Sequence, residues 1–118
     1  MNVFVFPGQG SQHLGMGADL YNSNRKAQQI FEDANEILGF KITDIMFGED
    51  QEALKQTNIT QPAIYIHSMV IALIANKFFK PNAVAGHSLG EFTALAAANY
   101  ISFEDGLKLV QKRAIAMQ

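Results

Sequence analysis

The run Ala83-Val84-Ala85-Gly86-His87-Ser88-Leu89-Gly90 most restricts what this chain can fold into. A short apolar stretch meets two glycines spaced around a serine, and an alanine-rich segment over 91–99 follows at once. The apolar stretch suits a buried strand and the alanine-rich one a helix. Between them the chain must turn within a few residues. Such a turn strains the backbone of Ser88, and glycines on either side leave room for neighbouring chain to pass. The serine oxygen then stands above the sheet at the positive end of the helix. The Leu89 N–H faces the same space and can donate to an oxyanion. Strand, sharp turn and helix in direct succession call for an α/β architecture.

The remaining pattern agrees. Val3 to Phe6 is a second short apolar run, closed by Pro7-Gly8, and residues 8–17 carry four glycines among polar residues and form a loop. Over 23–38 the positions Ala27, Ile30, Phe31, Ala34, Ile37 and Leu38 recur at three and four, which makes one helical face that Gly39 ends. Residues 42–47 and 51–55 suit single helical turns. A long helix is predicted to start near Thr60-Gln61-Pro62, with Pro62 in its first turn where the missing N–H costs nothing. Its apolar residues Ala63, Ile64, Ile66, Val70, Ile71, Leu73, Ile74 and Phe78 lie all round the circumference, so it must be covered on nearly every side. Ser102 with Asp105 suits a capping box opening a last helix through Leu107, Val110 and Met117. Two strands joined by a long crossover make a poor sheet alone, and the pattern does not obviously supply neighbours for the long helix. The expectation is therefore a segment of a larger fold.

Composition narrows the function classes. With 48% apolar and 17% charged residues and a net charge of -2, the 118 residues offer no basic face for nucleic acid. The absence of cysteine excludes disulfides, thiolate metal sites and a thiol nucleophile, and suits the cytoplasm. No metal site or cofactor is expected. The start of the chain lacks the basic leader of a signal peptide, and residues 63–79 are interrupted by His67, Ser68, Asn76 and Lys77, so no membrane span is expected.

Gly86-His87-Ser88-Leu89-Gly90 matches G-x-S-x-G, which alone fits a plain strand–helix turn, an esterase of the α/β-hydrolase type, or an acyltransferase. The rest of the chain separates these. Phe6-Pro7-Gly8-Gln9-Gly10-Ser11-Gln12 with Gly15-Met16-Gly17, then Thr60-Gln61-Pro62-Ala63, then Gly86-His87-Ser88-Leu89-Gly90-Glu91, resemble in order the landmarks of malonyl-CoA:acyl-carrier-protein transacylases and the related acyltransferase domains of polyketide and fatty-acid synthases. Arg113 with Met117-Gln118 resembles a fourth landmark, with Ala114 where the family usually has glycine.

The resemblance implies ping-pong transfer of a malonyl group from coenzyme A to the phosphopantetheine thiol of acyl carrier protein, in fatty-acid synthesis. Ser88 would be the acyl-accepting nucleophile, Gln9 and the Leu89 N–H the oxyanion hole, and Arg113 the holder of the malonyl carboxylate. A planar guanidinium grips a carboxylate at two points, which a lysine cannot copy. His87 would line the site; His13 and His67 read as structural or solvated, Gln61-Pro62 as a helix start, and Glu91 as a first-turn acid. Malonyl-CoA and acyl carrier protein are the implied partners, the first as substrate. The family's fold implies that residues 1–118 are the amino-terminal part of the large α/β-hydrolase-like subdomain, a short parallel sheet flanked by helices. The remaining strands, the ferredoxin-like subdomain and the general-base histidine would lie outside, leaving this segment inactive alone. A polyketide-synthase acyltransferase, and a fragment that binds carrier protein without catalysis, are the other readings.

Overall fold

The computed structural model describes residues 3–8, 10–75, 83–86 and 89–117. Gln9, His87 and Ser88 lie outside the described residues. Strands β1 (Val3–Phe6) and β2 (Ala83–Gly86) pair in parallel, with Val3 opposite Ala83 and Phe6 opposite Gly86. Between them run α1 (Ala18–Ser23), α2 (Arg25–Leu38), α3 (Ile42–Met46), α4 (Gln51–Lys55) and α5 (Thr57–Ile74). Helices α6 (Leu89–Ala97) and α7 (Phe103–Met117) follow β2. The described residues thus form the expected short parallel sheet flanked by helices. Among them no helix is long and apolar enough to cross a membrane.

Local chemistry sets the helix ends. Asn24 accepts the Ala27 N–H at 2.9 Å and opens α2, a cap worth roughly 1 kcal/mol. Gly39, in the left-handed region at φ 84°, closes it. The inward face of α2 is the predicted one, with Ala27, Phe31, Ala34 and Leu38 buried. The Asn35 amide donates to the Thr43 hydroxyl at 2.9 Å, and its carbonyl accepts the Thr43 N–H, so α3 is clasped to α2. Ser102 accepts the Asp105 N–H at 3.0 Å and opens α7 as anticipated.

Helix α5 departs from the prediction at its start. It begins at Thr57, so Pro62 lies inside the helix and not in its first turn. The Gln56 carbonyl takes the N–H groups of Ile59 and Thr60, and the Thr60 hydroxyl donates to the Leu54 carbonyl. These bonds nucleate a turn ahead of the proline, and Pro62, with no N–H, cannot donate at its own step. Burial of the whole segment offsets that loss. Ile64, Tyr65, Ile66, Met69 and Val70 are all at or below 1% exposed.

The cover for α5 comes from this chain. Helices α2, α4, α6 and α7 pack around it, which corrects the expectation that its neighbours would be missing. Ile71 remains the exposed large apolar residue on this helix. Tyr65 stacks on Phe103 with ring centroids 5.6 Å apart and donates its hydroxyl to the Phe103 carbonyl at 2.9 Å. Burial, then the Asp105 carboxylate, push that hydroxyl above its ordinary range, so it stays a neutral donor. Gly106 presents bare backbone to Tyr65, where a Cβ would overlap the hydroxyl.

Helix α1 was not anticipated; it is short and has no fully buried residue. Just before it Gly17, at φ 84°, fits beneath Phe31 and beside His67. His67 on α5 is half-buried, with the exposed His13 ring edge-on to it at 6.2 Å. Burial, and secondarily His13, lower its pKa from the ordinary 6.5, against an opposing pull from Asp19. The folded chain therefore holds this proton less tightly than the unfolded chain. Its contribution to stability is complete above the ordinary value and is lost as pH falls through the folded one. Between about pH 7 and about pH 5.5, above most carboxylate titrations, urea midpoints should fall with acidification, and His67→Gln should flatten that slope. An unchanged slope in the variant would show that His67 does not carry it.

Candidate functional site

Of the candidate residues, Leu89 opens α6 and Arg113 lies towards the end of α7, while Gln9, His87 and Ser88 lie outside the described residues. Phe6 ends β1 buried between α5 and α6, in contact with Ala72 and Ala94. Beyond it the chain enters the loop that carries Gln9. That loop is tied by its own bonds: the Ser11 hydroxyl donates to the Gly8 carbonyl at 2.9 Å, and Gly10 donates its N–H to the Gln12 side chain at 2.8 Å. The Gln12 contribution was not foreseen from the sequence.

Helix α6 starts at Leu89, two residues before the predicted start, so Leu89 and Gly90 belong to its first turn with Glu91. Leu89 is buried at 1% exposure. Gly90 sits directly on the end of β1. A Cβ there would collide with the Phe6 carbonyl oxygen and come within 3.3 Å of the Pro7 carbonyl oxygen. The start of α6 and the end of β1 are therefore neighbours in space, held backbone against backbone.

Arg113 is half-buried on α7. Its Nη1 donates to the Gln61 Oε1 at 3.0 Å, and its guanidinium carbon lies 5.7 Å from the centroid of the Phe92 ring. Gln61 is 1% exposed, and its Nε2 donates to the Met117 Sδ at 3.4 Å. A solvated surface arginine does not fit this seat, to which α5, α6 and α7 each contribute. Helix α6 links the two halves, with Leu89 at its first position and Phe92 one turn on, on the same side. Ala114, the departure from the family pattern, is fully buried without opening the helix packing. Gln61, read from the sequence as a helix start, is a partner of Arg113. No local signal could have paired them, because 52 residues separate them in the chain.

His13 and His67 face each other and line, with Val5, Pro7 and Ile71, a recess of about 340 Å³ beside the loop. A cavity of about 660 Å³ between α2 and α7 is bounded by Asp33, Glu36, Glu104 and Lys108, and among the described residues neither Leu89 nor Arg113 lines it. Among the described residues no group of three His, Asp or Glu side chains is arranged to hold a metal ion.

The model of the acyl transferase domain matches residues 3–118. The chain belongs to the acyl transferase domain family. It is 45% identical over 111 residues to the malonyl CoA-acyl carrier protein transacylase of Staphylococcus aureus (strain MRSA252), covering 94% of this chain and 36% of that protein. An acyl-carrier-protein S-malonyltransferase from Bartonella henselae superposes with a TM-score of 0.94 at 39% identity, over 100% of this chain and 40% of that one. A malonyl-transacylase in complex with its type II PKS acyl-carrier protein superposes with a TM-score of 0.92 at 39% identity, over 98% of this chain and 38% of the other. The chain spans well under half the length of these relatives.

The Gly90 contact makes a direct prediction. Gly90→Ala must push α6 off the β1 carbonyl, at a cost of about 1–3 kcal/mol. Urea denaturation reads the loss; an unchanged midpoint would mean that α6 does not rest on that carbonyl.

Proposed function

We propose that this chain is the amino-terminal segment of the large α/β-hydrolase-like subdomain of a malonyl-CoA:acyl-carrier-protein transacylase acting in fatty-acid synthesis. The observation that carries the reading is the half-buried Arg113 guanidinium, held by Gln61 on α5 and Phe92 on α6. A cation seated there suits an acyl group that ends in a carboxylate. The identity to named malonyl transacylases supports the same choice of acyl group.

In this mechanism the Ser88 hydroxyl attacks the thioester carbonyl of malonyl-CoA. Its proton passes to a base that the family pattern supplies from a histidine elsewhere in the protein. The oxyanion accepts hydrogen bonds from the Leu89 N–H and the Gln9 side-chain amide. As the first residue of α6, Leu89 has no intrahelical acceptor for its N–H, and the helix start is electropositive. The bare backbone at Gly90 lets the end of β1 lie close to this donor. Collapse of the tetrahedral intermediate expels the coenzyme A thiolate and leaves malonyl on Ser88, with His87 lining the site. The phosphopantetheine thiol of acyl carrier protein then repeats the attack and takes the acyl group. Arg113 grips the malonyl carboxylate through both half-reactions and keeps the ester oriented.

Two measurements on the protein expressed from its natural reading frame test this. Ser88→Ala should abolish covalent labelling by radioactive malonyl-CoA; a labelled variant would remove Ser88 from the mechanism. Arg113→Ala should lower the malonyl-to-acetyl ratio of kcat/KM by on the order of 100-fold, the scale of a lost charge pair. An unaltered ratio would remove Arg113 from the site. Ester hydrolysis by the wild type without carrier protein, at rates matching transfer, would favour a hydrolase instead.

A further inference from the structure

Gln61 is an expensive residue to bury, and its surroundings account for both ends of its amide. At 1% exposure an unsatisfied carboxamide would cost several times what an apolar side chain of the same length would. Its oxygen accepts from the Arg113 guanidinium and its nitrogen donates to the Met117 thioether, a weak acceptor. The bond to Arg113 is charge-assisted and so stronger than the one to the thioether.

The backbone under Gln61 is immobilised on two sides. Thr60, its neighbour, is bonded to the Leu54 carbonyl. One turn further along α5, Tyr65 is bonded to the Phe103 carbonyl and pressed against Gly106. Helices α5 and α7 thus run antiparallel, with Tyr65 against the start of α7 and Gln61 against Arg113 and Met117 near its end. The spacing that brings Oε1 to 3.0 Å from Nη1 is set by these contacts and not by the flexible arginine. Phe92 closes the third side of the guanidinium.

The residue type matters as much as the position. A carboxamide oxygen accepts a guanidinium N–H and fixes its plane while adding no charge. A carboxylate at the same point would pair with Arg113 and cancel the charge that draws an incoming acid.

We propose that Gln61 is a positioning residue: its neutral acceptor fixes the plane of Arg113 without neutralising it, and so sets selectivity for acyl groups ending in a carboxylate. This rests on the reading of Arg113 as the carboxylate holder. Gln61 acts through Arg113 and does not touch the reacting carbonyl, so its removal acts on ground-state and transition-state binding alike. The signature is a raised KM for the acid-tailed substrate with kcat little changed.

The test measures kcat and KM for malonyl-CoA and acetyl-CoA in the naturally encoded protein, for wild type, Arg113→Ala, Gln61→Glu and Gln61→Met, with thermal midpoints alongside. Gln61→Glu should raise the malonyl-CoA KM by about 10–100-fold, the scale of a hydrogen bond to a charged group, and leave acetyl-CoA within about threefold. Gln61→Met keeps the length and removes the acceptor, and should raise the malonyl-CoA KM about tenfold with acetyl-CoA unmoved. Equal losses for both substrates, in whichever variant folds, would reduce Gln61 to a structural role and overturn the proposal. A ratio that collapses in Arg113→Ala and stays at the wild-type value in both Gln61 variants would overturn it while leaving the carboxylate holder in place. A ratio unmoved by Arg113→Ala would overturn both.

Discussion

Burial of α5 organises everything else. From Ile59 to Val70 every residue but the half-buried His67 is buried, so other helices must cover it on nearly every side. Covering it takes the apolar stripe of α2, the buried faces of α6 and α7, and the short α4 at its start. Fully burying a residue such as Ile66 or Met69 is worth about 1.5–3 kcal/mol, and the helix has several of them. That gain offsets Pro62 within the helix and a buried glutamine one residue earlier. It also places Gln61 where α7 must pass.

The sheet has a smaller role in stability and a larger one in geometry. Two parallel strands of four residues bury little by themselves. Their pairing brings the end of β1 beside the end of β2, with Phe6 opposite Gly86. The carboxyl ends of both strands therefore lie at the same edge of the sheet, where open α/β sheets bind their ligands. Gly90 makes the approach possible by exposing bare backbone to the Phe6 carbonyl. The end of β1 and the start of α6, about eighty residues apart in the chain, meet through this backbone contact.

Much of this was legible from local pattern. The stripe of α2, the αL stop at Gly39, both strands and the Ser102 cap follow from rules that act over a few residues. The start of α5 was misread because Pro62 is a strong local signal for a first turn. The competing signal, the Gln56 carbonyl and the Thr60–Leu54 bond, depends on α4 already being packed in place. Helix α1 was missed because it buries no residue fully and so leaves no apolar periodicity to read. Arg113 was legible only as a candidate, since periodicity alone puts it on a helix surface.

By itself the sequence determined both strands, the buried stripe of α2 and the Ser102 cap, because capping and periodicity are short-range properties of the chain, and its landmark motifs marked the family. Tertiary structure alone decided that α5 finds its cover within the same segment, and that Gly90 rests on the Phe6 carbonyl. It also decided that Arg113 is held by Gln61 and Phe92. Those three outcomes depend on residues tens of positions apart meeting in one place. Only the packing of α5 among α2, α6 and α7 brings them there.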